Sequence, residues 1–440
     1  MNAMMMIVNG ANTILSTART TRREFVLMTT TATTTQALLE QKTVAKTDAS
    51  DLNGTNITAT AYYTDNNNEK EMETDYFKDG PYTVRALPKI EHVSASTFPM
   101  CIGSTCKLSI KALVPVRRPV NPDDLFPSPA PTATQKGEMG TTTVTKNSNS
   151  NRKAPFPLAV FSSGFLVDAE SYDFIAKRLC SFGYVVLRYD KSESLNETLD
   201  DVVSASLLDD LISWASYSSG ILSSIVDPEK VMLIGHSRGG KISVLESLYD
   251  KRVKCLALID PVDNTQYAPL GPGFPSAVEG MKDPATSVFK EGLNDEPPAA
   301  TLVIGGLRGG ECAPIGSNYA NFFEAATIAK QNRGGAEPWG FTLDAGHFDF
   351  LDEKTFIQSS VCDLGKLDDK ITKQITAAAV ATHADWTFRN TNRISSNSRG
   401  NSNNNNNDSS GSSSSSSSNA AASSFFAQLD DGDRNVVELV

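Results

Sequence analysis

Residues 231–240 read VMLIGHSRGG, and this stretch decides the fold. Its first four residues are apolar and predict a short buried strand, and a helical pattern runs from 241 to 249. Between the two lies Gly-x-Ser-x-Gly, the pattern of a sharp strand-to-helix turn that holds its serine out of the sheet. A side chain at either glycine would collide with the neighbouring element. The pattern predicts that Ser237 is a nucleophile and that the backbone N–H of Arg238 stabilises an oxyanion.

The same stretch also approaches the pattern of a phosphate-binding loop, because Gly235 is followed at the right spacing by Gly240 and Lys241. That loop requires a Ser or Thr at the next position to bind magnesium, and Ile242 stands there. The sequence therefore disfavours an NTPase.

The chain around the turn alternates short β-rich runs with helical patterns. Residues 169–182 and 201–215 each place apolar residues on one helical face, and 82–86 and 107–116 read as antiparallel strands at one sheet edge. This alternation predicts an α/β domain with a mostly parallel central sheet, helices on both faces and a ligand site at the carboxyl ends of the strands. The predicted strands of the alternating part are 158–161, 184–189, 230–234, 253–259, 301–304 and 341–343.

A nucleophilic serine needs a general base, and the chain has four histidines. His236 adjoins the serine but should point elsewhere, His92 precedes the sheet, and His383 belongs to the final helical stretch. His347 follows a predicted strand and a glycine, where hydrolases of this architecture carry their base. We expect His347 to be that base.

The acid that orients the histidine is harder to choose. Asp260 ends the run 253–259 directly and is favoured, because an aspartate at the carboxyl end of a strand suits a buried partner of imidazole. Glu311, in the glycine-rich segment after 301–304, is the second candidate, and Asp263 is the third.

The second oxyanion donor should come from the loop after the strand 158–161, which reads SSGFL over 162–166. The N–H of Phe165 is the candidate, and the side chains of Phe165 and Leu166 would line the pocket.

Composition and charge exclude several other classes of protein. The 440 residues carry 40 Lys and Arg against 51 Asp and Glu, a net charge of −11, so no basic surface is available for a nucleic acid. No apolar run reaches the roughly 18 residues of a membrane-spanning helix. Four histidines, and six cysteines without zinc-type spacing, give no metal site. A local bridge could join Cys101 to Cys106, and one could join Cys312 to Cys362, but we expect the latter two to be unpaired buried thiols.

The ends of the chain differ from its centre. Residues 1–40 are predicted to be a targeting leader, an acid-free, Arg- and Thr-containing transit peptide followed by a twin-arginine-like signal; a disordered segment with a chance arginine pair is the alternative. Residues 41–77 are polar and expected to be disordered. The catalytic domain is placed at 78–393 with an insertion at 117–154, and residues 394–440 form an Asn/Ser-rich low-complexity tail.

Several motifs together resemble the chlorophyllases of plants and algae, over roughly residues 155–390. They are GHSRGGK at 235–241, IDPV at 259–262, CAP at 312–314 with the residues after it, and GHFDFLD at 346–352. Residues 79–84, DGPYTV, are similar to the related polyester and cutin hydrolases. The first oxyanion loop departs from the family, since Ser163 stands where members carry His before Gly.

The resemblance implies an α/β-hydrolase fold and hydrolysis of chlorophyll to chlorophyllide and phytol by a triad of Ser237, Asp260 and His347. Such an enzyme needs no metal or organic cofactor. We expect chlorophyll or a related phytyl ester as substrate, a monomer without a nucleic-acid partner, peripheral contact with the thylakoid membrane, and a location in the chloroplast, with the thylakoid lumen as one destination. The alternatives are a lipase- or cutinase-like general carboxylesterase and a catalytically silent protein that binds pigment.

Overall fold

A mixed sheet of ten strands, β3 to β12, lies at the centre of the described part of the chain in the computed structural model. A separate pair, β1 and β2, forms a small antiparallel sheet. The strands are β1 (Thr60–Ala61), β2 (Met72–Glu73), β3 (Tyr82–Ala86), β4 (Ile90–Val93), β5 (Lys107–Arg117), β6 (Phe156–Ser162), β7 (Val185–Lys191), β8 (Val226–His236), β9 (Val253–Ile259), β10 (Ala300–Arg308), β11 (Trp339–Gly346) and β12 (Val437–Leu439).

The structure describes most of the predicted central domain and parts of both flanks. Of the regions predicted above, the leader at 1–40, nearly all of the insertion at 117–154 and the first part of the tail lie outside the described residues. The described residues are 60–61, 72–95, 97, 100–117, 155–194, 197–286, 296–389, 416–429 and 437–439.

The strand order confirms the predicted mostly parallel sheet. Along the sheet the strands follow the order β12-β11-β10-β9-β8-β6-β7-β5-β3, with β4 also paired to β5. The strands β6 to β11 are mutually parallel where they pair, whereas β5 pairs antiparallel with β7. After β7 the chain returns to the other side of β6 and continues with β8, so the strand order reverses beside β6. Open α/β sheets bind ligands at such a reversal, at the carboxyl ends of the strands.

Helices cover both faces of the sheet, as predicted. One buried core includes residues of α1, α7 and α8, and the other includes residues of α2, α3, α4 and α5. The helices are α1 (Asp173–Ser181), α2 (Asp201–Ser213), α3 (Arg238–Ser247), α4 (Ala277–Lys282), α5 (Tyr319–Arg333), α6 (Phe356–Val361), α7 (Asp369–Phe388) and α8 (Ser416–Gln428). No helix in these described ranges has both the length and the apolar character needed to cross a bilayer.

Both predicted boundaries of the catalytic domain need correction. Tyr76 belongs to the segment that was expected to be disordered, but it is buried and its hydroxyl contacts Asp385 Oδ2 at 3.2 Å. In the predicted tail, α8 packs on the sheet through Phe425, which is fully buried and stacks on Phe341 with ring centroids 5.1 Å apart. The strand β12 pairs antiparallel with β11. A few apolar residues within the serine-rich tail suffice to dock it because β11 and α7 offer an apolar surface.

The cysteines also depart in part from the prediction. Cys101 pairs with Cys106, which is the local bridge considered above. Cys312 pairs with Cys362, so the expectation of unpaired thiols there was wrong. This second bridge joins the loop after β10 to the residue that directly follows α6. The fold brings the two cysteines together although 50 residues separate them in sequence.

Candidate active site

The strand-to-helix turn predicted from the sequence lies between β8 and α3. Ser237 has φ 56° and ψ −128°, a conformation that side-chain-bearing residues rarely adopt. The glycines on either side make the turn feasible, because a Cβ at Gly235 would collide with the backbone of Gly239 and one at Gly239 with the backbone of Ser162. The helix begins at Arg238, earlier than the sequence pattern indicated. The hydroxyl of Ser237 is therefore presented at the carboxyl end of β8.

Three of the predicted residues meet at this point. Ser237 Oγ lies 2.9 Å from His347 Nε2, and His347 Nδ1 lies 2.6 Å from Asp260 Oδ2. The other carboxylate oxygen, Oδ1, accepts a hydrogen bond from the N–H of Gly306 at 3.0 Å. Asp260 and His347 are both buried, whereas Ser237 is half-buried. Strands β8, β9 and β11 supply one residue each, at or directly after their carboxyl ends.

The other two candidate acids lie elsewhere. Glu311 is exposed in the loop after β10. Asp263 is buried and accepts hydrogen bonds from the N–H of Ala277 at 2.7 Å and the hydroxyl of Ser276 at 2.6 Å, so it stabilises the start of α4. Geometry therefore favours Asp260, as did its position at the end of β9.

The loop after β6 faces the serine. A Cβ at Gly164 would lie only 3.3 Å from Ser237 Cβ, so the loop passes close to the nucleophile. Leu166 adopts a positive φ of 53°. The N–H groups of Phe165 and Arg238 are the predicted oxyanion donors, and the one on Arg238, at the first position of a helix, has no acceptor within that helix. Both Phe165 and Leu166 are exposed.

The side chain of Arg238 forms a charged cluster beside the serine that the sequence analysis missed. Its Nε donates to Asp201 Oδ1 at 2.6 Å and its Nη1 to Glu193 Oε1 at 2.8 Å. Lys241 also binds Asp201 at 2.9 Å, and Lys191 binds Glu193 at 3.1 Å. Burial alone would lower the pKa of Arg238, but the two carboxylates outweigh it and raise that pKa. The guanidinium is thus a fixed positive charge.

Two aromatic rings cover this guanidinium. The centroid of the Phe165 ring lies 5.7 Å from Arg238 Cζ and that of Phe274 lies 5.8 Å from it, both within the range of cation–π attraction. Phe274 comes from the Gly- and Pro-rich segment before α4. The rings of Phe165 and Phe274 therefore pack over a side chain that the ion pairs with Asp201 and Glu193 hold in place.

The remaining histidines have structural contacts. His236 is fully buried, as its predicted orientation away from the serine requires, and burial lowers its pKa well below 6.5, helped by the neighbouring His347. His92 binds Asp210. His383 accepts a hydrogen bond from the indole N–H of Trp339 at 3.0 Å, and burial lowers its pKa to about 4.

One cluster of acidic residues has the mutual distances of metal ligands within the described ranges: Asp209, Glu246 and Asp250. It lies toward the other end of α3 from Ser237. Arg252 already binds Asp250 at 2.6 Å and Asp209 at 3.0 Å. A protein cation thus already neutralises two of the three carboxylates.

The chain matches a known protein family. The family model described as Chlorophyllase matches residues 144–398, more than half of the chain. The chain belongs to the chlorophyllase family. The resemblance drawn from the sequence motifs is therefore confirmed, and so is the α/β-hydrolase fold. Membership in the chlorophyllase family supports an ester hydrolase of the α/β-hydrolase type. No individual curated protein matches the chain with statistical significance.

The sequence analysis missed several site residues of this chlorophyllase-family chain. Each is a partner of a residue that the sequence had already indicated. Asp201 and Glu193 bind Arg238, and Tyr172 binds His236. The one available signal was a charged residue, Arg238, placed beside the nucleophile, which must find counter-ions if it is buried. Which carboxylates serve could not be read from the sequence, because they lie 37 and 45 residues away.

Proposed function

We propose that the protein is a serine carboxylic ester hydrolase that cleaves the phytyl ester of chlorophyll to chlorophyllide and phytol. The observation that carries the proposal is the continuous hydrogen-bonded series of Ser237, His347 and Asp260 at the carboxyl edge of the sheet. Family membership supports an ester as the substrate and chlorophyll as the molecule that carries this ester. The proposed roles are nucleophile for Ser237, general base and acid for His347, and orienting carboxylate for Asp260.

In the first half of the proposed reaction, Ser237 Oγ attacks the ester carbonyl carbon while His347 Nε2 takes the hydroxyl proton. Asp260 stabilises the imidazolium, and the N–H groups of Phe165 and Arg238 donate to the oxyanion. The tetrahedral intermediate then breaks its bond to the phytol oxygen, and His347 returns the proton to that oxygen. Phytol leaves, and the chlorophyllide acyl group remains on Ser237.

Water completes the reaction. His347 takes a proton from water, the resulting hydroxide attacks the acyl carbon, and the oxyanion forms again at Phe165 and Arg238. The bond to Ser237 Oγ then breaks, and the proton held by His347 returns to Oγ. Chlorophyllide is released as its free acid, and no step needs a metal or an organic cofactor.

Exposed apolar side chains on the segments that follow β10 and β11 support a hydrophobic substrate. Ile315 is 98%, Phe356 87% and Ile357 71% exposed, and all three belong to loops or a helix that follow β10 or β11. The Cys312–Cys362 bridge ties these two regions together. We call the three side chains the apolar rim. A patch of large exposed apolar side chains is typical of a contact surface.

We further propose that the apolar rim contacts the membrane that holds the pigment, which in a chloroplast is the thylakoid. The plastid address rests on the composition of residues 1–40, and the protein is proposed to act as a monomer. N-terminal sequencing of the protein recovered after import into isolated chloroplasts would test the address, and recovery of the uncut chain outside the organelle would contradict it.

The deciding experiment is a turnover assay on the full chain, because Tyr76 and Phe425 are part of the folded core. Chlorophyll a and p-nitrophenyl butyrate are offered separately, with Ser237→Ala as the inactive variant and Ser224→Ala, an exposed serine, as the matched control. Chlorophyllide formation that only Ser237→Ala abolishes would establish the proposal. Hydrolysis of the short ester alone would identify a general carboxylesterase, and inactivity toward both would favour a protein that only binds pigment.

A further inference from the structure

A series of buried hydrogen bonds connects the oxyanion loop to the catalytic histidine behind the active site. The N–H of Gly164 donates to the Tyr172 hydroxyl at 3.1 Å, and that hydroxyl lies 2.8 Å from His236 Nδ1. On the other side of the ring, His236 Nε2 lies 2.9 Å from the backbone oxygen of His347. Tyr172 and His236 are each 0% exposed. Neither side chain can therefore touch a substrate.

The position of each proton follows from these contacts. A backbone carbonyl only accepts, so His236 Nε2 must carry a proton and donate a hydrogen bond to the backbone oxygen of His347. In the neutral ring Nδ1 is then an acceptor, so it accepts a hydrogen bond from the Tyr172 hydroxyl, whose oxygen accepts one from the N–H of Gly164. All three bonds are satisfied together when His236 is neutral. The low pKa that burial gives His236 agrees with this assignment.

The series joins three separate elements of the fold. Gly164 precedes Phe165, the proposed oxyanion donor, in the loop after β6. His236 directly precedes Ser237, and its ring centroid lies 4.8 Å from that of His347. A neutral ring at this place also avoids repulsion with the imidazolium that His347 becomes during the reaction. The oxyanion loop, the nucleophile and the base are thus all connected to the imidazole of His236, by hydrogen bonds or by the chain itself.

We propose that Tyr172 and His236 are positioning residues that hold the oxyanion loop and His347 in register around Ser237. This inference rests on the proposed serine hydrolase function. It predicts a loss in kcat with little change in KM, because the residues act on the geometry of the transition state and lie outside the pocket.

The test uses Tyr172→Phe, which removes the hydroxyl but keeps the ring. We expect kcat per active site to fall about 10- to 100-fold, since small displacements of catalytic groups have effects of that size. Active sites are counted by titration with a phosphonate that traps Ser237, so loss of folded enzyme does not count as loss of rate. The matched control is Tyr184→Phe, another fully buried tyrosine, whose hydroxyl binds Asp385 at 2.9 Å. Tyr184 directly precedes β7, at the opposite edge of the sheet from the carboxyl ends where the triad lies.

A drop of fivefold or more in kcat per titrated site for Tyr172→Phe, with Tyr184→Phe near the wild type, would support the inference. A smaller drop, or an equal one in the control, would overturn it. The two proposals fail differently: a wild-type chain without p-nitrophenyl ester turnover refutes the hydrolase function itself, whereas an active wild type with an equally active Tyr172→Phe refutes only the positioning role.

A second pair of variants decides the matter if Tyr172→Phe does not fold. In His236→Gln the amide can still accept from Tyr172 and donate to His347, whereas His236→Leu offers neither group at a similar volume. We expect His236→Gln to keep a kcat per titrated site within fivefold of the wild type and His236→Leu to lose more than fivefold. Equal rates in these two variants would overturn the inference.

Discussion

Replacing Asp260 with asparagine should change which nitrogen of His347 carries the proton. The carboxylate has two contacts: Oδ1 accepts from the N–H of Gly306 at 3.0 Å, and Oδ2 faces His347 Nδ1 at 2.6 Å. In asparagine the single oxygen must remain opposite Gly306, since a buried N–H without an acceptor is costly. The amide NH₂ then points at His347 Nδ1 and donates to it. His347 consequently carries its proton on Nε2, the atom that has to accept the proton of Ser237.

The expected loss follows from that tautomer. A triad with the proton on the wrong nitrogen loses about 10⁴-fold in kcat, or about 5.5 kcal/mol of transition-state stabilisation. Asparagine suits the backbone here because Asp260 has a positive φ of 38°, a region in which Asp and Asn are among the better tolerated residues. Most of the loss should therefore come from the proton and little from the fold.

The assay is steady-state hydrolysis of p-nitrophenyl butyrate by Asp260→Asn, with urea unfolding of the same samples to check the fold. Glu311→Gln is the matched control, since Glu311 was the second candidate acid and lies exposed in the loop after β10. We expect the control to stay within about twofold of the wild type, as is usual for an exposed residue outside the site. An Asp260→Asn variant that keeps more than a tenth of the wild-type kcat, or a Glu311→Gln variant that loses most of it, would refute this account of the acid.

Three further predictions concern stability and membrane contact. Phe425→Ala should lower the free energy of unfolding by about 3–5 kcal/mol, because the ring is fully buried against Phe341. Urea denaturation measures this free energy, and a change below about 0.5 kcal/mol would show that the segment is not packed on the core. The pKa of His383 is about 4 when folded against about 6.5 when unfolded, so the unfolded state binds more protons between these values and stability should fall by up to about 3 kcal/mol as the pH drops from 6.5 to 4. His383→Gln should reduce that pH dependence in urea titrations at pH 7 and pH 5, and an unchanged dependence would exclude His383 as a source. Phe356→Ser with Ile357→Ser should weaken co-sedimentation with galactolipid vesicles while p-nitrophenyl ester turnover persists, and unaltered binding would locate the membrane contact elsewhere.

Local sequence patterns sufficed to predict the strand-to-helix turn at Ser237 and the central strands of the sheet. The motif at 235–239 specifies its turn through two glycines that have no room for a side chain, and such a steric demand is visible in the sequence. The predicted strands were confirmed because a fully buried parallel strand needs an apolar run. His347 could be chosen because three of four histidines lie at unsuitable positions along the chain.

The choice among three acids shows the limit of such patterns. Asp260, Asp263 and Glu311 all follow strands that end at the same edge, and sequence position could only favour one. Distance separates them: Asp260 contacts His347, Asp263 holds the start of α4, and Glu311 is exposed.

The sequence by itself determined the sheet, the turn that presents Ser237 and the most suitable base, because these depend on periodicity and on steric demands within a few residues. Only the tertiary structure decided the partners of buried polar groups: the counter-ions of Arg238, the Tyr172–His236 series, the Cys312–Cys362 bridge and the docking of Phe425. A buried polar group needs a hydrogen-bond or ion-pair partner, and a buried apolar group needs apolar neighbours. The sequence shows that such a partner is required but not which residue it is. Which neighbour satisfies this requirement depends on how distant segments meet in the fold.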